Sequence, residues 1–391
     1  MPSEGDWLRE RLEELERIER PSASEGERRA AEWVVAQLAE LGAEARIEAE
    51  PAHGTYWWPQ GLGAALGTIG ALLSLRGRRL LGILFGALGA AGIADDFPPR
   101  RRRLRRLLPR RTTYNVVCEL GDPSAERTIV LIAHHDAPHS GLVFHPKPAK
   151  IADRLGLIEK NNTSPPLMWP VLAGPLLCAL GAITGRRLLT KLGLLFGAGS
   201  IAAMSDIGLR RTVPGANDNG SAVVALLALA RRFATEPPQG VRVILLSTGS
   251  EESFSEGIKA WGERHFPELS RESTFFLCLE SIGSPHLLVL RGEGFLKMYE
   301  YPQRALDFID GLAEEMGIPL VPNLRIRAGT DGLEPLAAGY ETVALCSCDD
   351  IKQASNYHWP TDVAANIEYG TLEQAIDISQ EAVRRLGRRW L

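Results

Sequence analysis

The chain contains eight polar residues that could bind a metal or transfer protons. Each follows an apolar run of the chain or lies beside the start of a predicted helix. They are His134, His135, Asp136, Asp218, Glu251, Glu252, Glu280 and His358. Imidazole nitrogens and carboxylate oxygens are donors that zinc accepts together in proteins. Each of these residues alone is typical of an ordinary turn or surface position, so the argument for a metal centre depends on the fold bringing them together.

The apolar runs predict the strands that would do so. Strands are expected at 115–120, 128–133, 241–247, 274–279, 286–290 and 341–346, and helices at 219–234, 254–265, 301–316 and 370–387. Runs that are apolar on both faces are typical of central strands covered by helices on both sides. Ligands of such open sheets bind beyond the carboxyl ends of the strands, which is where the polar residues lie.

Five segments resemble the motifs of the two-zinc aminopeptidases, a family that also contains glutamate carboxypeptidases and transferrin-receptor-like proteins. In the family's order they are Ala133-His134-His135-Asp136, Gly215-Ala216-Asn217-Asp218-Asn219, Glu251-Glu252, Leu279-Glu280-Ser281-Ile282-Gly283 and Tyr357-His358-Trp359-Pro360-Thr361-Asp362. The resemblance implies an α/β fold, a zinc-exopeptidase-like three-layer sandwich with a mostly parallel central sheet flanked by helices. It assigns residues 1–50 and 113–391 to the zinc peptidase domain.

The same resemblance implies a cofactor of two Zn²⁺ ions per chain and a ligand for each position. His134 and Glu280 would bind one ion, and Glu252 and His358 would bind the other. Asp218 would bridge the two with its two oxygens. Such a pair of ions activates a bridging water, so the implied function is hydrolysis of a peptide substrate, as an aminopeptidase.

Two catalytic residues are implied besides the ligands. Glu251 would be the general base, and Asp136 would accept the N–H of His134 and fix its tautomer. The resemblance also implies a cis peptide bond between Asp218 and Asn219. The chain departs from the family at Glu280, where Asp is more common, and at 330–332, which resembles a Ser-Asp-His motif without its His.

Three other functions compete with a two-zinc peptidase. A non-enzymatic scaffold on the same fold is disfavoured because all five ligand positions and the base are filled. A single-zinc transferase like the glutaminyl cyclases stays open, since the pattern alone does not give the number of ions. A channel or transporter is disfavoured because the apolar segments 61–94 and 167–204 carry no acidic residue or His that would line a path.

These two apolar segments predict inserted helical hairpins at 56–98 and 167–209. Each is rich in Gly, Ala and Leu and is divided by a short basic turn. We expect the hairpins to form a single four-helix patch on one side of the domain and to contact membrane lipid, either spanning the bilayer or lying in its plane. The alternative is that their helices are buried within a soluble protein or across a homodimer.

A basic segment at 99–112 follows the first hairpin, and its Arg100–Arg111 run is expected to contact anionic lipid. A net charge of −4 argues against a nucleic-acid partner. The five cysteines do not form a disulfide scaffold, and Cys346 and Cys348 are expected as buried free thiols. Together with the positive-inside rule and the absence of a signal peptide, they predict a membrane-associated protein whose catalytic domain faces the cytoplasm.

Overall fold

The computed structural model describes residues 3–99, 102–156, 158 and 161–391, which form ten strands and twelve α-helices. The strands are β1 (Ala45–Ala52), β2 (Arg111–Gly121), β3 (Thr128–His134), β4 (Arg242–Thr248), β5 (Thr274–Glu280), β6 (His286–Val289), β7 (Gly292–Glu293), β8 (Tyr299–Glu300), β9 (Arg325–Ile326) and β10 (Glu341–Cys348). The helices are α1 (Glu4–Leu15), α2 (Glu25–Glu40), α3 (Trp57–Leu75), α4 (Arg79–Asp96), α5 (Pro146–Arg154), α6 (Trp169–Thr184), α7 (Arg187–Leu209), α8 (Ser221–Thr235), α9 (Glu256–His265), α10 (Gln303–Glu315), α11 (Leu333–Ala338) and α12 (Tyr369–Arg388).

A seven-stranded sheet with the order β1-β2-β4-β3-β5-β10-β6 forms the centre of the molecule. Its four middle strands, β4, β3, β5 and β10, run parallel, whereas the outer pairings β1–β2, β2–β4 and β10–β6 are antiparallel. The predicted parallel arrangement therefore holds for the middle of the sheet. β7, β8 and β9 form a separate three-stranded sheet that the sequence did not predict.

Helices cover both faces of the sheet, as the apolar runs predicted. Every residue of β3 is buried. Helix α8 contacts β3, β4 and β5, with α1, α2 and α12 packed against it, while α9 contacts β1 and β2 beside α11. Cys346 and Cys348 are buried and unpaired, as predicted, and so are the other three cysteines.

Each apolar segment contains two helices, and the four pack against one another. Their buried faces consist largely of glycine and alanine: Gly63, Gly67 and Gly70 in α3 and Gly82, Gly86 and Gly89 in α4. Large apolar side chains point outward; Leu80 is 82% exposed and Leu195 in α7 is 67% exposed. The four-helix patch thus has small residues inside and large apolar residues outside, the reverse of a water-soluble bundle.

The basic segment after the first hairpin differs from the expectation of a lipid-facing run. Arg102 and Arg105 are buried and form ion pairs within the protein, with Glu334 and Asp96 respectively. Arg111 begins β2. The remaining arginines of the segment that the structure describes, Arg103, Arg106 and Arg110, are exposed, and Arg100 and Arg101 lie outside the described residues.

The close approach of helices α3 and α4 generates a prediction about Gly89. A Cβ atom at Gly89 would lie 2.4 Å from the Gly63 carbonyl oxygen, so Gly89→Ala should force the helices apart and destabilise the protein by about 1–3 kcal/mol. Gly199→Ala in α7 is the matched control, because its Cβ would meet nothing within 4 Å and alanine favours a helix. Thermal unfolding in detergent measures both; equal melting temperatures would contradict the packing.

Candidate metal centre

The carboxyl edge of the parallel strands collects the five predicted metal ligands. His134 is the last residue of β3 and Glu280 is the last residue of β5. Glu252 lies in a 3₁₀ turn shortly after β4. Asp218 lies in the turn that leads into α8, and His358 lies in the loop between β10 and α12. Adjacent parallel strands thus bring together residues that are up to 224 positions apart in the chain.

The Asp218 carboxylate lies between two imidazoles and faces one with each oxygen. Asp218 Oδ1 is 3.3 Å from His134 Nε2, and Asp218 Oδ2 is 3.3 Å from His358 Nε2. A second carboxylate completes each half: Glu280 Oε1 is 3.4 Å from His134 Nε2, and Glu252 Oε2 is 3.4 Å from His358 Nε2. The centre is therefore two similar donor clusters that share Asp218.

These separations fit a metal better than a hydrogen-bond network. Zinc bonds of about 2.0–2.1 Å in a tetrahedral arrangement place neighbouring donors about 3.3–3.4 Å apart. His134 Nε2 is buried and makes no hydrogen bond of good geometry, although carboxylate oxygens surround it. His134, Asp218 and Glu252 also offer donor atoms that all lie within 4.8 Å of one another. The donors present fit zinc on geometry and on chemistry.

The electrostatics of the cluster show an excess of negative charge that a cation would balance. Burial alone would raise the pKa of Asp218, but the two adjoining imidazoles outweigh it and hold the pKa of that carboxyl below its usual range. Burial raises the pKa of Glu252 well above its usual value, and the Asp218 and Glu251 carboxylates add to the rise. Carboxylates that compete for two imidazoles are typical of a site built for dications.

Asp136 accepts several hydrogen bonds that fix the residues of the centre. Its Oδ1 accepts the backbone N–H of Glu251 at 3.0 Å, and its Oδ2 accepts that of Glu252 at 3.1 Å. Ser22 Oγ donates to Oδ2 at 2.6 Å. His134 Nδ1 lies 3.3 Å from Asp136 Oδ1 and 3.2 Å from the Asp136 carbonyl oxygen. Asp136 thus contacts both the first imidazole and the backbone of the loop that carries Glu251 and Glu252.

That loop adopts a backbone that needs such support. Ser250, Phe254 and Ser255 have φ values of 55°, 70° and 54°, in the left-handed region that side chains other than glycine rarely adopt. Each costs on the order of 1–3 kcal/mol and persists where the surroundings enforce it. Behind the loop, the buried Glu27 carboxylate accepts the Ser250 hydroxyl at 2.7 Å. The direction of Glu251 and Glu252 therefore depends on contacts made by their neighbours.

The turn around Asp218 is held by two buried charged residues. Asp362 accepts the backbone N–H groups of Asn217 and Asp218 at 2.7 and 3.1 Å. Arg20 donates to the carbonyl oxygens of Pro214 and Gly215, both at 2.7 Å. The peptide bond between Asp218 and Asn219 is cis, as the family resemblance predicted.

The sequence analysis gave no role to Arg20 or Asp362, although Asp362 lies in one of the five segments that carry the resemblance. The usable signal was their charge beside otherwise apolar or turn residues, because a charge in a buried motif needs partners. Glu27 carried no such signal, since it resembles any acidic residue in the first turn of a helix.

Two other polar residues near the centre take different roles. His135, which was among the residues singled out from the sequence, faces away and contacts Ser247 Oγ at 3.0 Å; burial lowers its pKa to about 4. Asp331, in the segment that lacks the family His, contacts Thr248 Oγ1 through Oδ2, whereas its buried Oδ1 makes no hydrogen bond. Burial raises the pKa of Asp331 to about 7.

Aromatic side chains pack against the donor cluster that contains His358 and Glu252. The Phe144 ring lies 4.4 Å from the His358 ring, and Tyr357 stacks on His358 at 3.9 Å. Phe254, beside the ligand loop, stacks on Tyr56 just before α3 at 4.9 Å. Phe144, between β3 and α6, and Tyr56, just before α3, therefore connect the segments that carry the four-helix patch to residues around the candidate centre.

Comparisons with known proteins agree with the fold. Residues 202–383 match the model of peptidase family M28. A Zn-dependent exopeptidase from Parabacteroides distasonis superimposes with a TM-score of 0.57 at 13% identity, covering 97% of this chain and 98% of that one. A zinc aminopeptidase from Bacillus subtilis gives 0.56 at 13% identity, with 98% and 95% covered.

A glutaminyl cyclase from Tannerella forsythia gives a TM-score of 0.58 at 13% identity, with 97% of this chain and 98% of that one covered. None of the curated proteins matches the chain. The α/β fold with a central sheet flanked by helices is confirmed, and so is the family resemblance.

The contacts of Asp136 generate a prediction for this site. Asp136→Asn replaces one acceptor oxygen by a donor, so the ligand loop and His134 should lose their alignment and zinc affinity should fall about 10–100-fold. Asp122→Asn, in the exposed turn after β2, is the matched control. Titration of the metal-free protein with buffered zinc checks this; unchanged affinity in Asp136→Asn would contradict the supporting role.

Proposed function

We propose that this chain, which belongs to peptidase family M28 and is a zinc-dependent metallopeptidase, is a membrane-associated two-zinc aminopeptidase. The observation that carries the proposal is the division of the Asp218 carboxylate between two imidazoles, each with its own second carboxylate. A single-zinc site needs one such cluster. The duplicated arrangement therefore favours two ions over the single-zinc cyclase.

The residues around the cluster are suited to hydrolysis of a peptide bond. When bound, two zinc ions would supply an activated water and polarise the scissile carbonyl. Glu251 has a side chain 13% exposed and lies at the rim of the centre, with Oε2 4.0 Å from His134 Nε2. Its carboxylate would take the proton of the attacking water and deliver it to the leaving amine nitrogen. Burial raises the pKa of Glu251 well above its usual value, a shift that neighbouring dications would oppose.

The charge of the centre supports amino-terminal rather than carboxy-terminal specificity. Glu251, Glu280 and Asp331 surround the His134 half with carboxylates. The guanidinium group of Arg20, whose charge also acts on the centre, is fully buried and binds the Pro214 and Gly215 carbonyl oxygens. Arg20 is therefore not free to pair with a substrate's α-carboxylate, whereas Asp331 Oδ1, which makes no hydrogen bond, is an acceptor for an α-ammonium group.

The roles of Glu251 and Glu252 give a prediction that tests the function. The unaltered chain should bind two zinc ions and cleave aminoacyl fluorogenic substrates but not their N-acetylated forms. Glu251→Gln should keep both ions and lose on the order of 10²-fold or more in kcat, because it removes a base and not a ligand. The neighbouring Glu252→Gln is the matched comparison and should lose one ion.

Elemental analysis and steady-state kinetics separate the alternatives. One zinc per chain together with cyclisation of an N-terminal glutaminyl peptide would assign the chain to the cyclase chemistry. Two zinc ions with no turnover of any peptide would assign it to the scaffolds. Normal turnover by Glu251→Gln would place the base elsewhere.

Membrane association is supported by the composition and length of the four-helix patch. At about 1.5 Å per residue, the 19 residues of α3 extend roughly 28 Å and the 23 residues of α7 roughly 34 Å, against a hydrocarbon core of about 30 Å. Of the described helices, α7 is the one long and apolar enough to span a membrane by itself. Small residues at the helix contacts and leucines outside are the packing that helices adopt in lipid.

The proposed orientation places the catalytic domain on the cytoplasmic side. The domain-side flanks of the hairpins carry ten arginines, at 100–103, 105, 106, 110, 111, 210 and 211, and the turns between the helices carry six basic residues. The burial of Arg102 and Arg105 narrows this difference. The exposed remainder, such as Arg103 and Arg110, is available to anionic lipid headgroups.

The outward leucines give a test of membrane association. Leu84→Arg with Leu195→Arg places two charges on the outer face, each costing about 2.5–3.5 kcal/mol at mid-bilayer depth, so the protein should move from the membrane to the soluble fraction. Met316→Arg, on the exposed end of α10, is the matched control and should leave the distribution unchanged.

Fractionation without detergent shows whether lipid or a second copy of the chain covers the outer face of the four-helix patch. An unaltered chain that is soluble and monomeric would refute membrane association. A soluble dimer would show that the apolar faces pack across two copies instead.

A further inference from the structure

We propose that Arg105 is a positioning residue through which the four-helix patch holds the loop 250–256, and with it Glu251 and Glu252, in catalytic geometry. The proposal rests on the proposed function for the meaning of that geometry. The four helices would then position residues of the metal centre in addition to attaching the protein to a membrane.

Arg105 is 2% exposed and connects the end of α4 to the ligand loop. Its Nη2 donates to Asp96 Oδ2 at 3.0 Å, and its Nε donates to Asp96 Oδ1 at 2.5 Å. On its other side, Nη1 donates to the Ser253 carbonyl oxygen at 2.7 Å and lies 3.2 Å from Glu256 Oε1. One planar guanidinium group thus binds the helical patch with one edge and the residue after Glu252 with the other.

The anchor on the patch side is itself fixed inside the helices. Asp96 is 2% exposed and ends α4, and Gln60 in α3 donates to its Oδ2 at 2.8 Å. Both helices of the first hairpin therefore fix the position of the Arg105 partner.

The anchor on the loop side is a buried carboxylate with several donors. Glu256 accepts the backbone N–H groups of His53 and Gly54 at 3.0 and 2.8 Å and the Ser253 hydroxyl at 2.7 Å. Arg105 and these donors together hold the pKa of Glu256 below its usual range although burial opposes them. The segment just before α3 is thereby tied to the same loop.

A second arginine reinforces the connection. Arg102 donates through Nη1 to the Phe254 carbonyl oxygen, and its Nη2 lies 3.1 Å from Glu334 Oε1. Two successive carbonyl groups, of Ser253 and Phe254, therefore accept from arginines of the segment after the first hairpin. They lie at the left-handed turn of Phe254 and Ser255.

The loop is consequently held from two sides. Asp136 accepts the N–H groups of Glu251 and Glu252 at its start, and Arg105 and Arg102 bind its carbonyl groups at its end. A backbone with three left-handed residues other than glycine relaxes when one side is released. Release would turn Glu251 and Glu252 away from the imidazoles without removing any ligand atom.

The test uses the full chain with its helices in detergent or liposomes. Arg105→Lys keeps the positive charge but cannot bind Asp96 and the Ser253 carbonyl group at the same time. Asp96→Asn with Arg105→Gln removes both charges of that pair, while Glu256 keeps its hydrogen bonds from His53, Gly54 and Ser253. Arg106→Lys is the matched control, because Arg106 is the exposed neighbour in the same run.

Four measurements separate positioning from stability: kcat and KM, zinc affinity in metal buffers, the visible spectrum of the cobalt-substituted protein, and the melting temperature of the zinc-free protein. We expect Arg105→Lys and the double variant to melt near the unaltered chain. We also expect them to bind zinc about tenfold more weakly, show a shifted cobalt spectrum, and lose about tenfold or more in kcat with little change in KM. Arg106→Lys should match the unaltered chain throughout.

Unchanged zinc affinity, spectrum and kcat in folded variants would overturn the proposal. The proposal would also be overturned if both variants lost zinc affinity and no longer showed a melting transition. Arg105 would then have a structural role only. A chain that binds metal but cleaves no peptide would refute the proposed function alone, because affinity and spectrum still report on the loop.

Discussion

The two oxygens of the Asp218 carboxylate face two different imidazoles, and much of the surrounding structure serves to keep them there. The carboxylate can face both imidazoles only in a narrow range of orientations, so the backbone on either side of Asp218 needs to be fixed. Asp362 binds the N–H groups before and at Asp218, and Arg20 binds the carbonyl groups of the preceding residues. Helix α8 then begins three residues later, buried along most of its length in the core.

The opposite wall of the centre is a loop and not a regular element. Glu251 and Glu252 lie in a short turn whose neighbours adopt left-handed backbone conformations. Hydrogen bonds from residues outside the loop stabilise these backbone conformations. Asp136 provides them from the segment just after β3, and Arg105 provides them from the segment after the first hairpin. The catalytic geometry is thus shared between the sheet and the helical patch.

The four helices combine two kinds of packing. Among themselves they meet through glycine and alanine, which permits backbone contact and leaves leucines on the outside, as lipid favours. Toward the catalytic domain they meet through buried charges, because Gln60, Asp96 and Arg105 form a hydrogen-bonded group that water does not reach. Burying a paired charge is tolerable where every partner is satisfied, and costly when one partner is removed.

The sequence by itself determined the order of the main strands and helices and the types of residue at the centre. The helices predicted at 219–234 and 370–387 appear as α8 and α12 with ends shifted by one or two residues, because apolar periodicity is a local property. His134 and Glu280 could be placed at one edge because each ends an apolar strand. Only the tertiary structure decided that Arg105 is buried and not facing lipid, since its carbonyl partner on Ser253 lies 148 residues away. A run of arginines looks the same in sequence whether its charges meet water, lipid or a buried carboxylate, and only the folded chain supplies the partner.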